Sequence, residues 1–119
     1  RLQIEAYFFR HFHEEVDVTD FAHKFHVTPR YSNTLLRETY GLSFSAKLLQ
    51  TRLENAKLLL TYSDRNVSEI CTLCGFETSS YFYSVFRREA GVTPSEYRRQ
   101  HPGRAGVFFD PETIIRLIG

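Results

Sequence analysis

Residues 43–62 read SFSAKLLQTRLENAKLLLTY, and this stretch decides the fold. Phe44, Leu48, Leu49, Leu53, Ala56, Leu59 and Leu60 recur at helical spacing. Gly and Pro are missing from it, and Leu, Ala, Lys, Arg, Glu and Gln dominate, all strong helix formers. The spacing predicts one long helix, with Gly41 before it and the polar run Ser63-Asp64-Arg65-Asn66 after it. Its flanks make it central, because the chain on one side echoes the chain on the other.

Upstream, residues 1–15 predict a first helix with an inner stripe of Ile4, Phe8, Phe9 and Phe12. Residues 18–26 predict a second, with Thr19 as N-cap and Phe21, Ala22 and Phe25 buried. Thr28-Pro29 opens a third, because Pro at the first helical position loses no needed N–H. Tyr31, Leu35 and Leu36 are its expected inner stripe, and Gly41 closes it near Tyr40. Two short helices joined by a tight turn make a helix-turn-helix pattern.

Downstream the pattern returns. Val67-Ser68-Glu69-Ile70-Cys71 matches Val18-Thr19-Asp20-Phe21-Ala22 in residue type, and Phe76 matches Val27 in the turn. One residue is then added. Tyr81, Val85, Phe86, Arg87, Gly91 and Val92 match Tyr31, Leu35, Leu36, Arg37, Gly41 and Leu42. The repeat has a period of about 50 residues. Thr93-Pro94-Ser95-Glu96 is a capping box that starts a last helix over residues 94–99. His101-Pro102-Gly103 breaks it. Residues 104–119 are open between a short apolar helix packing back on the domain and a segment contacting a partner.

With 119 residues, 42% hydrophobic and 24% charged, the chain is of globular composition, which excludes disorder. No apolar run approaches the ~20 residues that cross a bilayer. A chain without Met is expected to be a fragment. Net charge is only +1, but its distribution is uneven. Residues 1–26 carry three basic and five acidic side chains, while residues 27–60 carry five basic and two acidic. A near-neutral protein can still present one basic face. Two cysteines provide no disulfide framework and fit a reducing cytoplasm.

Residues 67–97, VSEICTLCGFETSSYFYSVFRREAGVTPSEY, resemble the signature of the AraC/XylS family of bacterial transcription regulators. The resemblance is carried by Glu69, Ile70, Gly75, Phe76, Tyr81, Phe82, Phe86, Arg87, Gly91, Thr93, Pro94, Tyr97 and Arg98. Arg52, Ala56 and Leu60 also sit where the family has Arg, Ala and Leu. Cys71 replaces the usual Ala, Lys47 an aromatic, and Ser32-Asn33-Thr34 a Leu-Ser-Arg run. The resemblance implies an all-α, seven-helix domain over residues 1–100. Two helix-turn-helix units, 1–42 and 63–100, would be joined by the long central helix at 43–62, with 101–119 a tail. It also implies a cytoplasmic protein that binds promoter DNA to activate transcription. The implied partners are RNA polymerase and an effector or dimerisation domain before residue 1.

A recognition helix turns the side chains of its N-terminal half toward base edges in the major groove. In the first unit these are Arg30, Asn33 and Thr34; in the second, Ser79, Ser80, Tyr83 and Ser84. Arg pairs bidentately with guanine and Asn with adenine, whereas hydroxyls suit phosphates and bridging water. Most discrimination is therefore expected from the first unit. Thr28, Arg37, Thr78, Arg87 and Arg88 are candidate phosphate contacts.

Cys71-x-x-Cys74 with His23-x-x-His26 has the look of a zinc set. The repeat instead places both cysteines on the buried face, where a thiol acts as a small hydrophobe, and no metal or other cofactor is expected. His11 and His13 beside Glu14 and Glu15 lack a nucleophile or a phosphate loop, so no catalytic site is expected. A helical protein-interaction module without DNA binding is the rival reading.

Overall fold

The structure is a computed structural model that describes residues 1–103. The expectations for the tail beyond residue 103 lie outside the described residues. Seven helices follow one another: α1 Leu2–His11, α2 Val18–Lys24, α3 Pro29–Tyr40, α4 Phe44–Tyr62, α5 Val67–Leu73, α6 Ser79–Ala90 and α7 Pro94–Gln100. The described residues hold no strand.

The repeat persists down to the caps. α2 and α5 each begin with a capping box, Asp17 with Asp20 and Asn66 with Glu69. In each, the cap side chain and the third-residue carboxylate satisfy two amides that the helix start leaves unpaired. α3 and α6 are capped by Thr28 and Thr78 and end at left-handed Gly41 and Gly91. The intervening turns also match. His26 and Gly75 have positive φ, at 57° and 87°. The next amides, of Val27 and Phe76, donate to Ala22 and Cys71 carbonyls at 3.0 and 3.1 Å. The added residue is Glu77, between the turn and the cap of α6.

α4 packs against α1, α3, α5 and α7, so both halves share its apolar faces. On one side Phe8, Phe21 and Phe44 cluster, with Phe8 and Phe44 ring centroids 5.4 Å apart. On the other, Phe82 packs between Phe76 and Phe86 at 4.8 and 5.7 Å. Leu48, Leu53, Ala56 and Leu60 of α4 lie buried between them. Each fully buried Phe or Leu contributes about 1.5–3 kcal/mol of transfer free energy.

Two arginines fasten the ends of this arrangement. Arg52 of α4 donates from Nε to the Phe12 carbonyl and from Nη2 to that of Glu14, both at 2.8 Å. Arg98 of α7 donates to the carbonyls of Leu60, Ser63 and Leu59 at 2.9, 3.2 and 3.4 Å. The last turn of α4 has no basic residue of its own, so Arg98 supplies the cation that its C-terminal carbonyls favour.

Several expectations need correction. α1 stops at His11 rather than 15: Phe12 is its C-cap, the Glu14 amide turns back onto the His11 carbonyl at 3.0 Å, and Arg52 takes the carbonyls of Phe12 and Glu14 that follow. Phe9 faces solvent and Tyr7 takes its place inside. α2 is capped by Asp17, not Thr19, and ends at Lys24. Tyr31 is exposed; the inner position belongs to Ser32, whose hydroxyl donates to the Thr28 carbonyl at 2.9 Å. Lys47 is buried beneath Tyr40, with Nζ 4.4 Å from the ring centroid and 3.6 Å from Glu5 Oε1.

A Cβ on Gly75 would stand 2.9 Å from the Phe12 carbonyl oxygen and 3.1 Å from Arg52 Nε, whereas one on Gly91 would meet nothing within 4 Å. Both have positive φ, which alone costs a non-Gly residue about 1–2 kcal/mol. Gly91→Ala should lower stability by about that amount in urea denaturation, and Gly75→Ala by clearly more.

Backbone hydrogen bonding first, then Arg65 or the Thr93 side chain respectively, holds Glu69 and Glu96 below the ordinary carboxylate value of 4.5. A depressed folded value stabilises above the unfolded value and loses that contribution as pH falls through the folded one. Glu69→Gln and Glu96→Gln should therefore flatten the acid limb of the stability–pH curve by lowering stability at neutral pH, with each variant approaching wild type at low pH.

Candidate nucleic-acid interface

The exposed front of α3 is set by its cap. The Thr28 hydroxyl oxygen accepts the Tyr31 amide at 3.1 Å, and the Thr78 hydroxyl accepts the Tyr81 amide at 3.2 Å. Burial of Ser32 and Leu36 on α3, and of Phe82, Val85 and Phe86 on α6, fixes which faces remain outside. Those faces carry Arg30, Thr34 and Arg37 on α3, and Ser79, Ser80, Tyr83, Ser84, Arg87 and Arg88 on α6, all exposed. Thr28 and Thr78 are exposed at the tips. Among the described residues, Arg30, Arg37 and Arg87 make no ion pair; Arg88 Nε lies 3.1 Å from Glu89 Oε1. The Thr34 hydroxyl donates to the Arg30 carbonyl at 3.2 Å. Both helices thus offer polar, hydrogen-bonding N-terminal halves and arginines behind them.

Asn33 stands apart from this set. It is half-buried, and its Oδ1 accepts the amide of Phe44 at 2.8 Å. That amide belongs to the first turn of α4, which needs an outside acceptor. Asn33 therefore couples α3 to the start of the central helix instead of standing free at the front. In the second unit the residue matching Phe44 is Pro94, which has no N–H to satisfy. The residue matching Asn33 is Tyr83, and it is exposed.

The zinc-like set is not assembled. Cys71 and Cys74 are buried in the core, while His23 and His26 are exposed. The Cys71 thiol donates to the Thr78 carbonyl at 3.6 Å. Burial, and then proximity to Cys71, pushes the Cys74 thiol up to about 12 against the opposing Arg52 charge. Such a thiol is not poised to become a thiolate ligand. Among the described residues no group of three or more His, Cys, Asp or Glu is arranged to hold a metal ion, and no helix is long and apolar enough to cross a membrane. His11 Nδ1 lies 3.1 Å from Glu14, on an exposed turn.

A family model described as a helix-turn-helix domain matches residues 21–100, two thirds of the chain. The chain belongs to the AraC/XylS-type family of helix-turn-helix DNA-binding domains. It is 46% identical over 84 residues to the HTH-type transcriptional activator RhaR of Yersinia pseudotuberculosis, covering 71% of this chain and 29% of RhaR. It is 42% identical over 80 residues to the uncharacterized HTH-type transcriptional regulator YijO of Escherichia coli, covering 67% and 28%. The chain thus spans less than a third of the length of these relatives.

Among solved structures, the DNA-binding domain of the global transcriptional factor AdpA, in complex with a target DNA, superposes with a TM-score of 0.78. It shares 29% identity over 83% of this chain and 89% of that one. The C-terminal domain of AraT, a response regulator from Geobacillus stearothermophilus, gives 0.77 at 28% identity over 87% of each chain.

Sequence reasoning missed three elements of the site's framework. Arg52 and Arg98 bond to backbone carbonyls about 35–40 positions away in the chain, which leaves no local pattern. Tyr31 reads as an inner residue by its spacing from Leu35, although the repeat pairs it with Tyr81 in the same exposed position. Asn33→Ala should remove the acceptor for the Phe44 amide and cost about 1 kcal/mol in urea denaturation, while Asn33→Asp should restore most of it.

Proposed function

We propose that the protein is a sequence-specific DNA-binding transcription regulator, acting as an activator, that sets α3 and α6 into adjacent major-groove segments of promoter DNA. The observation that carries this reading is the duplicated frame itself. Two helices with the same cap, the same turn and the same left-handed Gly end present polar fronts from one shared core. The residue 1–42 and 63–100 units act as the two readers, and residues 43–62 as the spacer. Over its 19 residues α4 runs ~28 Å. One turn of duplex advances ~34 Å, so a rigid spacer of this scale favours a modest bend toward the protein, which costs ~1–6 kcal/mol.

Arg30 and Thr34 of the first reader, and Ser79, Ser80, Tyr83 and Ser84 of the second, face bases. Asn33 positions the first reader through Phe44. Thr28, Arg37, Thr78, Arg87 and Arg88 hold phosphates. Arg30 has the strongest base-reading chemistry of the set, through bidentate pairing with guanine. The activator description of RhaR and the target-DNA complex of AdpA support the same reading for this chain. RNA polymerase and an effector or dimerisation domain are the further partners, and the cytoplasm the compartment.

Selection of bound duplexes from a random pool tests the reading. It should return an asymmetric site, because the two fronts differ. Affinity should fall by roughly 10³ or more between low and moderate salt if six phosphates are held. A pool that yields no enriched duplex would leave the protein-interaction reading in place. Arg30→Ala should cost about 1–3 kcal/mol on the selected site and relax preference at one base pair.

A further inference from the structure

When α3 and α6 are laid over one another by their caps, several of their outward positions have diverged. Arg30 stands against Ser80, the half-buried Asn33 against exposed Tyr83, Thr34 against Ser84 and Glu38 against Arg88. Apart from the closing glycines Gly41 and Gly91, three exposed positions are identical: Thr28 and Thr78, Tyr31 and Tyr81, and Arg37 and Arg87. The bases under two readers differ from one half-site to the other, whereas the sugar–phosphate backbone presents the same chemistry to both. Side chains that vary between the readers are suited to the part of the ligand that varies. Side chains that are identical are suited to the part that does not.

The tyrosines are the unassigned members of that frame. The two residues are 52% and 53% exposed, above Phe9 and Tyr83 among the described residues. Among the described residues neither hydroxyl makes a hydrogen bond, although Tyr81 sits beside Phe76 with ring centroids 6.2 Å apart and shares the groove at Gly75 with Arg52. Packing therefore accounts for part of the Tyr81 ring but for neither unpaired phenol hydroxyl. Their backbones are fixed alike, since each amide donates to the hydroxyl of its own cap at 3.1 or 3.2 Å. The first turns of both helices thus share one capped backbone arrangement carrying a threonine and a tyrosine, with an arginine two turns behind.

Resting on the DNA-binding reading above, we infer that the Tyr31 and Tyr81 hydroxyls are a matched pair of backbone anchors. Each donates a hydrogen bond to a phosphate oxygen at the entry of its recognition helix into the groove. The pair sets the depth and register of both readers without choosing a base. A phenol suits this task because its ring is stiff and its hydroxyl is a donor that carries no charge. It can bind phosphate without adding to counterion release, which the arginines govern.

The test uses the whole chain with two probes: the best duplex selected by the wild-type protein, and a shuffled duplex of the same composition. Tyr31→Phe and Tyr81→Phe remove only the hydroxyls, and unchanged circular dichroism and melting confirm that the fold persists. Each variant should lose roughly tenfold in affinity on both duplexes, the loss expected for a hydrogen bond to a charged group. The double variant should lose roughly the product, because the two sites are independent. The ratio of selected to shuffled binding, the preference at every base position and the slope of affinity against salt should all stay at wild-type values. Arg37→Ala should instead shallow that slope by about 0.9. The inference is overturned if either variant binds within twofold of wild type, or if either changes base preference. Failure of the wild-type protein to bind any duplex would instead remove the functional reading itself.

Discussion

The guanidinium of Arg52 stands where the three parts of the molecule meet. It projects from the middle of α4, takes the carbonyls of Phe12 and Glu14 beyond the end of α1, and lies against the turn of the second unit at Gly75. Those two carbonyls belong to a helix terminus and a turn, where no intrahelical amide reaches them. One rigid, five-donor fork satisfies them both, which a lysine could not do with the same geometry. The contact fixes the path of the chain from α1 into α2, and so the placement of the first helix-turn-helix unit. It also requires that the second unit come close with no side chain at position 75. The relative disposition of the two readers is therefore set by a polar clamp as well as by the shared apolar core.

Arg98 repeats the logic at the other end of α4, where it collects the carbonyls of Leu59, Leu60 and Ser63. α4 is thus tied near its middle and at its C-terminus by guanidinium groups, and at its N-terminus by Asn33 on Phe44. A helix held at three points along its length transmits the position of one unit to the other with little bending. This suits it as a spacer better than its apolar stripe alone would.

Much of this fold was legible in the sequence, because it is written in local chemistry. Pro29, Thr78, Thr93, Gly41 and Gly91 act within a turn of their own helices, and the doubled order of caps and apolar positions exposed the two units. The features without a local pattern depend on distance or on small polar side chains. Tyr31 and Leu35 lie four apart and look like one stripe. The stripe is in fact centred on Ser32, whose burial hydropathy does not reveal because its hydroxyl is satisfied by the carbonyl of Thr28. Asp17 outcompetes Thr19 as the cap of α2 because Asp20 completes its box. A lysine is ordinarily a surface residue, yet Glu5 and the Tyr40 ring hold the Lys47 ammonium inside. Of the proposed site, the exposed arginines and hydroxyls followed from the caps. The inward turn of Asn33 could not, since its partner is eleven residues away.

That last residue explains how duplicated readers become unequal. At the start of α4 the Phe44 amide needs an acceptor, and α3 spends Asn33 on it. At the start of α7 the equivalent position is Pro94, and no amide exists to satisfy. Tyr83 is therefore released from the duty that holds Asn33, and it lies on the exposed face of α6. A single change in the following helix, from an ordinary residue to proline, alters which side chains the preceding helix can offer outward. The fronts of α3 and α6 thus differ through more than substitution at the surface. The demand made on each by its own junction differs, and the backbone frame of Thr, Tyr and Arg remains the same.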